Sequence, residues 1–175
     1  MIYFTADLHF GHANIIQHCN RPFATADEMD AALTSNWNAA VTNKDEVYIL
    51  GDLTMRPATD AHRYLSQLNG RKYFIRGNHD RFMKGFDPYM GDFEWIKDYH
   101  VLKAEGRRIV LFHFPILEWD QFYRGAIHLY GHVHNSQKSA ERISLLDGPA
   151  FNVGVDVNGY QPVSIVEILR MAGEQ

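Results

Sequence analysis

The first half of the chain alternates short apolar runs with segments whose apolar residues recur at helical spacing. Apolar residues return every four positions from Met29 to Val41, behind a capping-box pair at Thr25 and Glu28, which predicts a helix over 26–41. By the same criteria, strands are predicted over 2–6, 47–50 and 72–76, and further helices from about residue 13 and over 61–68. The order β-α-β-α-β is typical of a parallel sheet covered by helices.

The second half has short apolar segments without long helical spacing, and they are interpreted mainly as strands. These predicted strands cover 99–104, 108–112, 127–130, 151–157 and 163–169. Two stretches, Arg81 to Glu94 and Phe114 to Gly125, follow neither pattern and are rich in aromatic residues with glycine or proline, so we expect loops near a site. Because no repeat or linker divides the sequence, residues 1–175 are predicted to form a single domain.

Composition limits the classes of protein that fit this pattern. The chain has 175 residues, of which 46% are hydrophobic, and a formal net charge of −4 at pH 7. No apolar run approaches the roughly 18 residues of a membrane-spanning helix, and the amino terminus has no secretory pattern. The single cysteine, Cys19, excludes an internal disulfide and a Cys-pair zinc site. We therefore expect a cytoplasmic protein without a membrane partner, and the acidic balance disfavours long nucleic acid as a substrate.

The chemistry-bearing residues follow the apolar runs. Ten histidines are present, and the five clusters are Asp7-x-His9, Gly51-Asp52, Gly77-Asn78-His79-Asp80, His113 and Gly131-His132-Val133-His134. Singly, Asp-x-His is common and Gly-Asp is usually a turn, whereas Gly-Asn-His-Asp is expected by chance only about 0.003 times in this composition. Ligands of open sheets gather beyond the carboxyl ends of parallel strands. The clusters together therefore predict a metal site.

In this order, the clusters resemble the signature of the calcineurin-like metallophosphoesterase superfamily: D-x-H, G-D, G-N-H-[DE], H and G-H-x-H. The opening 7–12 and the later stretch 152–156 are also similar to the compact bacterial and phage branch of that superfamily. The resemblance implies an α+β fold, a four-layer αββα sandwich with a dinuclear metal centre at one edge.

The resemblance also implies the ligands of the two divalent metal ions. One metal would be held by Asp7, His9, Asp52 and His134, and the other by Asp52, Asn78, His113 and His132, with Asp52 as the bridge. Oxygen and imidazole ligands without thiolate suit Mn²⁺, Fe, Ni²⁺ or Zn²⁺, and Mn²⁺ is our first choice for activity. The implied reaction is hydrolysis of a phosphodiester or phosphomonoester by a hydroxide held between the metals. The partner is then a small phosphorylated substrate, and we favour a diester or nucleotide-like substrate.

Five further residues are candidates for the substrate side or for positioning. By resemblance, His79 stabilises the transition state or protonates the leaving oxygen, and Asp80 orients its ring. Arg76 matches a phosphate-gripping arginine of the serine/threonine protein phosphatases, and Arg81 is a weaker candidate because an arginine after a turn is usually solvated. His12 is either a substrate or ligand contact or simply a histidine that begins a helix.

Asp156 has two interpretations. It could orient a ligand histidine, but a turn aspartate before Asn158 and Gly159 is the preferred interpretation.

Two other functions are weighed against the phosphohydrolase. One is a non-catalytic scaffold on the same fold, as in the retromer subunit of this superfamily that has lost the catalytic histidine. The other is a nuclease, which the net charge of −4 and the absence of a basic run disfavour. The sequence leaves the oligomeric state open.

Overall fold

The computed structural model describes residues 1–84 and 91–173. Its strands are β1 Ile2–Thr5, β2 Glu46–Leu50, β3 Arg71–Ile75, β4 Trp95–Lys97, β5 Tyr99–Ala104, β6 Arg107–Phe112, β7 Ile127–Tyr130, β8 Ala150–Asn152 and β9 Val163–Ser164. Its α-helices are α1 Ala13–His18, α2 Ala26–Ala40, α3 Ala58–Leu65, α4 Gln137–Ile143 and α5 Ile165–Met171. Within these ranges, no helix has the length and apolar character needed to cross a membrane. Residues 85–90, part of the unassigned segment Arg81 to Glu94, lie outside the described residues.

The first sheet has the order β4-β3-β2-β1-β9. Strands β1, β2, β3 and β4 run parallel to one another, and β9 pairs antiparallel with β1. The parallel arrangement predicted from the alternating pattern of the first half is confirmed. Its consequence is that β1, β2 and β3 all end at the same edge, where the predicted ligands follow them.

The second sheet has the order β5-β6-β7-β8. β5 and β6 form an antiparallel hairpin with Glu105 and Gly106 between them, while β6, β7 and β8 are parallel. The carboxyl ends of β6 and β7 therefore also share one edge, and His113 and His132 lie just beyond them.

The two sheets pack face to face through a core that both contribute. Phe4 and Ile75 of the first sheet and Ile109 and Leu129 of the second are fully buried in one cluster. The outer face of the first sheet is covered by α1, α2 and α3, and every apolar position that predicted α2 is buried. Apolar burial of this kind is the main favourable term in folding. Helix, sheet and sheet layers thus match the predicted sandwich.

The fourth layer is thin. Over the outer face of the second sheet, Trp119 packs on Val110 and Ala126, and the Trp119 indole N–H donates to the Ala126 carbonyl at 2.7 Å. The covering segment is a loop with one 3₁₀ turn at Phe122–Arg124, which agrees with the loop predicted for Phe114 to Gly125.

Two predicted strands are wrong over most of their length. Of 151–157, only the first residues belong to β8, because the chain then crosses to the first sheet, where the Val155 N–H donates to the Ala6 carbonyl at 3.1 Å. Of 163–169, only β9 is extended. Ser164 caps α5 with a complete capping box to Glu167, and Ile165 and Ile168 are buried at helical spacing.

Sequence patterning missed α4 and β4. α4 has no buried residue, so its sequence carries no apolar face to detect. β4 has only three residues, too few for a period, and Trp95 packs at its start against Tyr73, with 5.3 Å between ring centres.

The corrected α5 generates a stability prediction. Ser164→Ala removes the oxygen that accepts the Glu167 N–H at 3.2 Å, and we expect the free energy of unfolding to fall by about 0.5–2 kcal/mol. Chemical denaturation measures the change. Ser136→Ala is the matched control, since Ser136 caps α4 without a side-chain hydrogen bond. Equal losses in the two variants would show that the Ser164 capping box does not stabilise α5.

Candidate metal centre

The carboxyl ends of strands from both sheets bring the predicted ligands together. Asp7 follows β1, Asp52 follows β2, Asn78 follows β3, His113 follows β6, and His132 follows β7. Among the described residues, three groups of side chains have ligand atoms within 4.8 Å of one another, and two of them consist of predicted ligands: Asp7 with His9 and His134, and Asp52 with His113 and His132. The third joins His134 to Cys19 and Asp156. Asp7 and His132, which lie 125 positions apart along the chain, are thus neighbours in space.

The backbone at these positions is unusual. Nine non-glycine residues of the described chain have positive φ, and five of them are predicted ligands: Asp7, His9, Asp52, His132 and His134. The left-handed region is unfavourable for residues with a Cβ, and such strain costs about 1–3 kcal/mol per residue. Strain of this kind clusters at functional sites, and here it turns consecutive side chains towards one point.

Asp7 and His9 of the first group are buried, and the His9 ring lacks hydrogen-bond partners within the described residues. Asp7 is fully buried, and its two carboxylate oxygens accept the His132 backbone N–H at 3.0 and 2.9 Å. His9 is 1% exposed, and neither of its ring nitrogens has a hydrogen-bond partner within the described residues. A buried imidazole nitrogen without a partner is costly in a folded protein, unless it binds a cation.

In the second group, His113 has a fixed orientation. Its Nδ1 donates to the Leu50 carbonyl at 2.7 Å, so Nε2 is the nitrogen left to bind a cation. Nε2 lies 3.0 Å from Oδ1 of Asn78, which contributes a neutral oxygen to the same space. The His132 ring lies beside it, 5.2 Å from the His113 ring centre to centre.

Asp52 lies between the two groups. Its Oδ2 is 3.6 Å from Nε2 of His9 and 3.5 Å from Nε2 of His113, while Oδ1 accepts the His79 N–H at 2.8 Å. Burial raises the pKa of Asp52, but the hydrogen bond and charge of His113, the charge of His9 and the His79 N–H outweigh it and lower the pKa to about 2. The carboxylate is therefore ionised and faces both groups.

The electrostatics of the first group favour a bound cation. Burial raises the pKa of Asp7 to about 6 and lowers the pKa of His9 to about 3. In each case burial removes the water that would stabilise the charged form of the side chain. A divalent cation would compensate the Asp7 carboxylate and accept the lone pair of neutral His9, so the donor set fits a metal ion.

Close packing holds the Asp52 carboxylate in place. A Cβ at Gly51 would lie 2.6 Å from both the Gly77 Cα and the His113 Nδ1. A Cβ at Gly77 would overlap Oδ1 of Asp52. The glycines of the Gly-Asp and Gly-Asn-His-Asp motifs are thus needed because two loops pass each other without room for a side chain.

A buried ion pair lies behind His134. Asp156 Oδ2 is 2.7 Å from Nδ1 of His134, and Arg21 binds both oxygens of Asp156 at 2.8 and 2.9 Å. Burial lowers the pKa of His134, but the Asp156 hydrogen bond and carboxylate, with Cys19 and Asp7, outweigh it and raise the pKa to about 10. Because Nδ1 donates to the Asp156 carboxylate, Nε2 is the nitrogen that a metal ion would bind in place of its proton.

Arg21 was missed by the sequence analysis. Its side chain is fully buried and also donates to the backbone carbonyls of Asp7 and Leu8, at 2.7 and 3.0 Å. An isolated arginine outside any motif gives no sequence signal for such a role. For Asp156, the preferred interpretation as a turn residue gives way to the alternative, because its carboxylate contacts a predicted ligand.

His79 and His12 lie on the His9 side of the centre. The ring centres of His79 and His9 are 5.8 Å apart, and those of His12 and His9 are 5.5 Å apart. His79 is half-buried, and its ring lies beside the predicted ligand His9. His12 comes directly before α1, and its buried Nδ1 has no hydrogen-bond partner within the described residues.

Asp80 has contacts other than the expected one. Within the described residues, its carboxylate accepts the backbone N–H groups of Asp52, Leu53 and Gly77, at 3.0, 2.9 and 2.6 Å. The resemblance implied that Asp80 orients the His79 ring, but within the described residues its carboxylate makes no hydrogen bond to that ring. Instead it fixes the loop after β2 to the loop after β3, and so sets the position of both Asp52 and His79.

The two candidate arginines are not brought to the centre. Arg76 is exposed and pairs with Asp98 at 2.9 Å. Arg81 is exposed at the start of the 3₁₀ turn Arg81–Lys84, where its backbone N–H donates to the His79 carbonyl at 2.7 Å. Arg76 would have to leave Asp98 to bind a phosphate.

The ion pair behind His134 generates a prediction for metal affinity. Asp156→Asn removes the charge that holds the proton on Nδ1 of His134. We expect Mn²⁺ affinity to fall about 10- to 100-fold, because partners of metal-binding histidines orient the ring and raise its basicity. Calorimetric titration with Mn²⁺ measures the effect. Asp120→Asn, at an exposed carboxylate, is the matched control. A folded Asp156→Asn protein with unchanged affinity would contradict this role.

Comparison with known proteins agrees with this geometry. The family model described as calcineurin-like phosphoesterase matches residues 1–102. An uncharacterized protein of Methanocaldococcus jannaschii is 37% identical over 97% of this chain and 90% of its own length. The gene 66 protein of Mycobacterium phage D29 is 33% identical over 99% of this chain and 96% of its own.

One solved structure is similar over nearly all of the chain. It is the crystal structure of a protein of unknown function from Aquifex aeolicus, which is 27% identical, with a TM-score of 0.78 and 98% of each chain covered. The matched family model includes the strand ends that carry Asp7, Asp52 and the 77–80 motif. The chain belongs to the calcineurin-like phosphoesterases.

Proposed function

We propose that the protein is a metal-dependent phosphohydrolase that cleaves a small phosphodiester or phosphomonoester at a dinuclear centre. One observation carries this proposal: a single buried oxygen, Oδ2 of Asp52, lies 3.6 Å from His9 and 3.5 Å from His113, which belong to different ligand groups. A bridging carboxylate is what a pair of cations about 3.5–4 Å apart requires.

The ligand assignment follows the two groups. Asp7, His9 and His134 would hold one cation, His113, His132 and Asn78 the other, and Asp52 both. When bound, such a pair lowers the pKa of water and neutralises charge on the phosphoryl oxygens. Oxygen and nitrogen donors suit Mn²⁺, Fe, Ni²⁺ or Zn²⁺, and Mn²⁺ is the proposed activating ion.

His79 is proposed as the proton donor to the leaving oxygen. Its backbone N–H is bound to Asp52, so the residue that joins the ligand groups also holds His79 at the centre. Its half-exposed ring can reach a substrate and exchange a proton with solvent. His12, on the same side, is proposed as a substrate contact.

The proposed substrate is small, and a diester or nucleotide-like compound is favoured. A net charge of −4 provides no general attraction for long nucleic acid, which disfavours a nuclease. A scaffold without catalysis would have no need for ligands held in the strained left-handed region, or for a buried His9 without hydrogen-bond partners. The cytoplasmic location stays a prediction.

The function is tested with metal-stripped protein, reconstituted with Mn²⁺ and assayed on bis(p-nitrophenyl) phosphate and p-nitrophenyl phosphate. We expect Mn²⁺-dependent hydrolysis with higher kcat/KM for the diester. Hydrolysis of only the monoester would make the protein a phosphatase. Binding of Mn²⁺ without turnover of either compound would contradict the proposed activity and favour the scaffold.

Two variants separate metal binding from proton transfer. Asp52→Asn should lose most bound metal and nearly all activity, because it removes the charge shared by the two groups. His79→Ala should keep its metal, while kcat falls about 10²–10⁴-fold, as expected for loss of a general acid.

Metal analysis and initial rates measure both effects. His100→Ala is the matched histidine control, since its ring packs on Trp95 with 4.7 Å between centres. The roles are assigned wrongly if His79→Ala loses its metal while Asp52→Asn retains it.

A further inference from the structure

A cleft of about 420 Å³ opens beside the candidate metal centre. It lies between α4 and the segment that follows β6, and seven of its ten lining residues are apolar. Predicted ligand His132 is one of the remaining three, together with Ser139 and Arg142. Cavities of a few hundred Å³ with mostly apolar walls and a few polar groups are the usual form of small-molecule sites.

The apolar wall begins at the ligands themselves. The Phe114 ring lies 4.6 Å from the His132 ring and 4.9 Å from the His113 ring, centre to centre. Phe114 lines the cleft as well. A phosphoryl group at the metal centre would therefore have an apolar surface directly beside it, with no intervening layer of protein.

The cleft exposes apolar side chains that the fold does not use. Leu117 is 63% and Leu145 is 67% exposed, and both line the cleft from opposite sides. α4, which forms one wall, has no buried residue. Covering exposed leucine surface with an apolar group is favourable by about 25 cal/mol of free energy per Å².

The charge in the cleft is positive. Arg142 lies on α4, and within the described residues its side chain has no ion-pair partner. A guanidinium beside a phosphoryl site attracts anionic ligands and repels ester groups with an ammonium charge. The occupant that fits is a neutral or anionic apolar group attached to phosphate.

We propose that this cleft binds the ester group that stays on phosphorus, and that this group is apolar or aromatic. The proposal rests on the proposed phosphohydrolase activity. His79 lies beside His9, whereas the cleft lies beside His132, so the leaving group and the cleft are on different sides of the centre.

The reaction is then defined for both ester groups. Water adds to phosphorus, the bond to the leaving oxygen breaks, and the leaving group departs with a proton as an alcohol or phenol. The cleft retains the aryl or nucleoside group of the phosphomonoester product. The substrate class is a phosphodiester with an apolar or aromatic group on the retained side, which includes nucleoside diesters.

Binding of two phosphonates tests the cleft without turnover. Phenylphosphonate and methylphosphonate share a phosphoryl group and differ only in the apolar substituent. For the Mn²⁺-loaded protein, calorimetry should show that phenylphosphonate binds at least about tenfold more tightly than methylphosphonate, because a hydrophobic pocket discriminates between ligands of different apolar size. Equal affinities would overturn the proposal.

Ser139→Phe fills the cleft from α4 and should abolish the preference for phenylphosphonate. Ala140→Phe adds the same ring to the exposed neighbouring position on the helix and should keep the preference. Leu145→Ser removes exposed apolar surface without adding bulk, and should weaken the preference even if Ser139→Phe folds poorly. Loss of the preference in Ala140→Phe as well as Ser139→Phe would overturn the assignment to this cleft.

Kinetics test which ester group the cleft holds. Phenyl p-nitrophenyl phosphate and methyl p-nitrophenyl phosphate release the same phenol, and the ratio of their kcat/KM values should fall about tenfold in Ser139→Phe. An unchanged ratio would overturn the placement of the retained group. If bis(p-nitrophenyl) phosphate is hydrolysed but both phosphonates bind equally, only the cleft assignment fails. If no ester is hydrolysed, the proposed function fails and the retained-group proposal fails with it.

Discussion

The placement of one buried carboxylate, Asp52, constrains the rest of the site. Its Oδ2 is nearly equidistant from His9 and His113, and its Oδ1 accepts the His79 N–H. This position exists because β2 ends in a left-handed turn and because Gly77 passes so close that no Cβ fits between them. Asp80 then joins the two loops through three backbone N–H groups.

The two-sheet architecture supplies the rigidity that this arrangement needs. In each sheet the parallel strands end at the edge where the predicted ligands lie, and the fully buried core between the sheets fixes their separation. The strained backbones of five predicted ligands oppose folding, and the ion pair buried behind His134 carries a desolvation cost. They persist because the surrounding apolar core favours folding strongly enough to hold them.

The grouping of the predicted ligands could be predicted from sequence because each follows an apolar strand in a short local motif. The helix α2 was predictable for the same reason, since its apolar residues repeat every four positions. Arg21 could not be found, because its partners lie 135 positions away in Asp156 and in backbone carbonyls that carry no residue signature. α4 and its cleft were missed because no residue of that helix is buried.

The role of Asp80 shows the limit of a resemblance. A family motif identifies the residue but leaves open which atoms its carboxylate binds, and here those atoms belong to the backbone. The pairing of Arg76 with Asp98 is likewise a tertiary contact between separate strand ends. Local motifs therefore predict the centre of the site better than its surroundings.

Anomalous diffraction from crystals soaked in Mn²⁺ tests the central claim most directly. The account predicts two peaks about 3.5–4 Å apart, one within coordination distance of His9 and the other of His113, both in contact with the Asp52 carboxylate. A single peak, or two peaks that do not share Asp52, would contradict it.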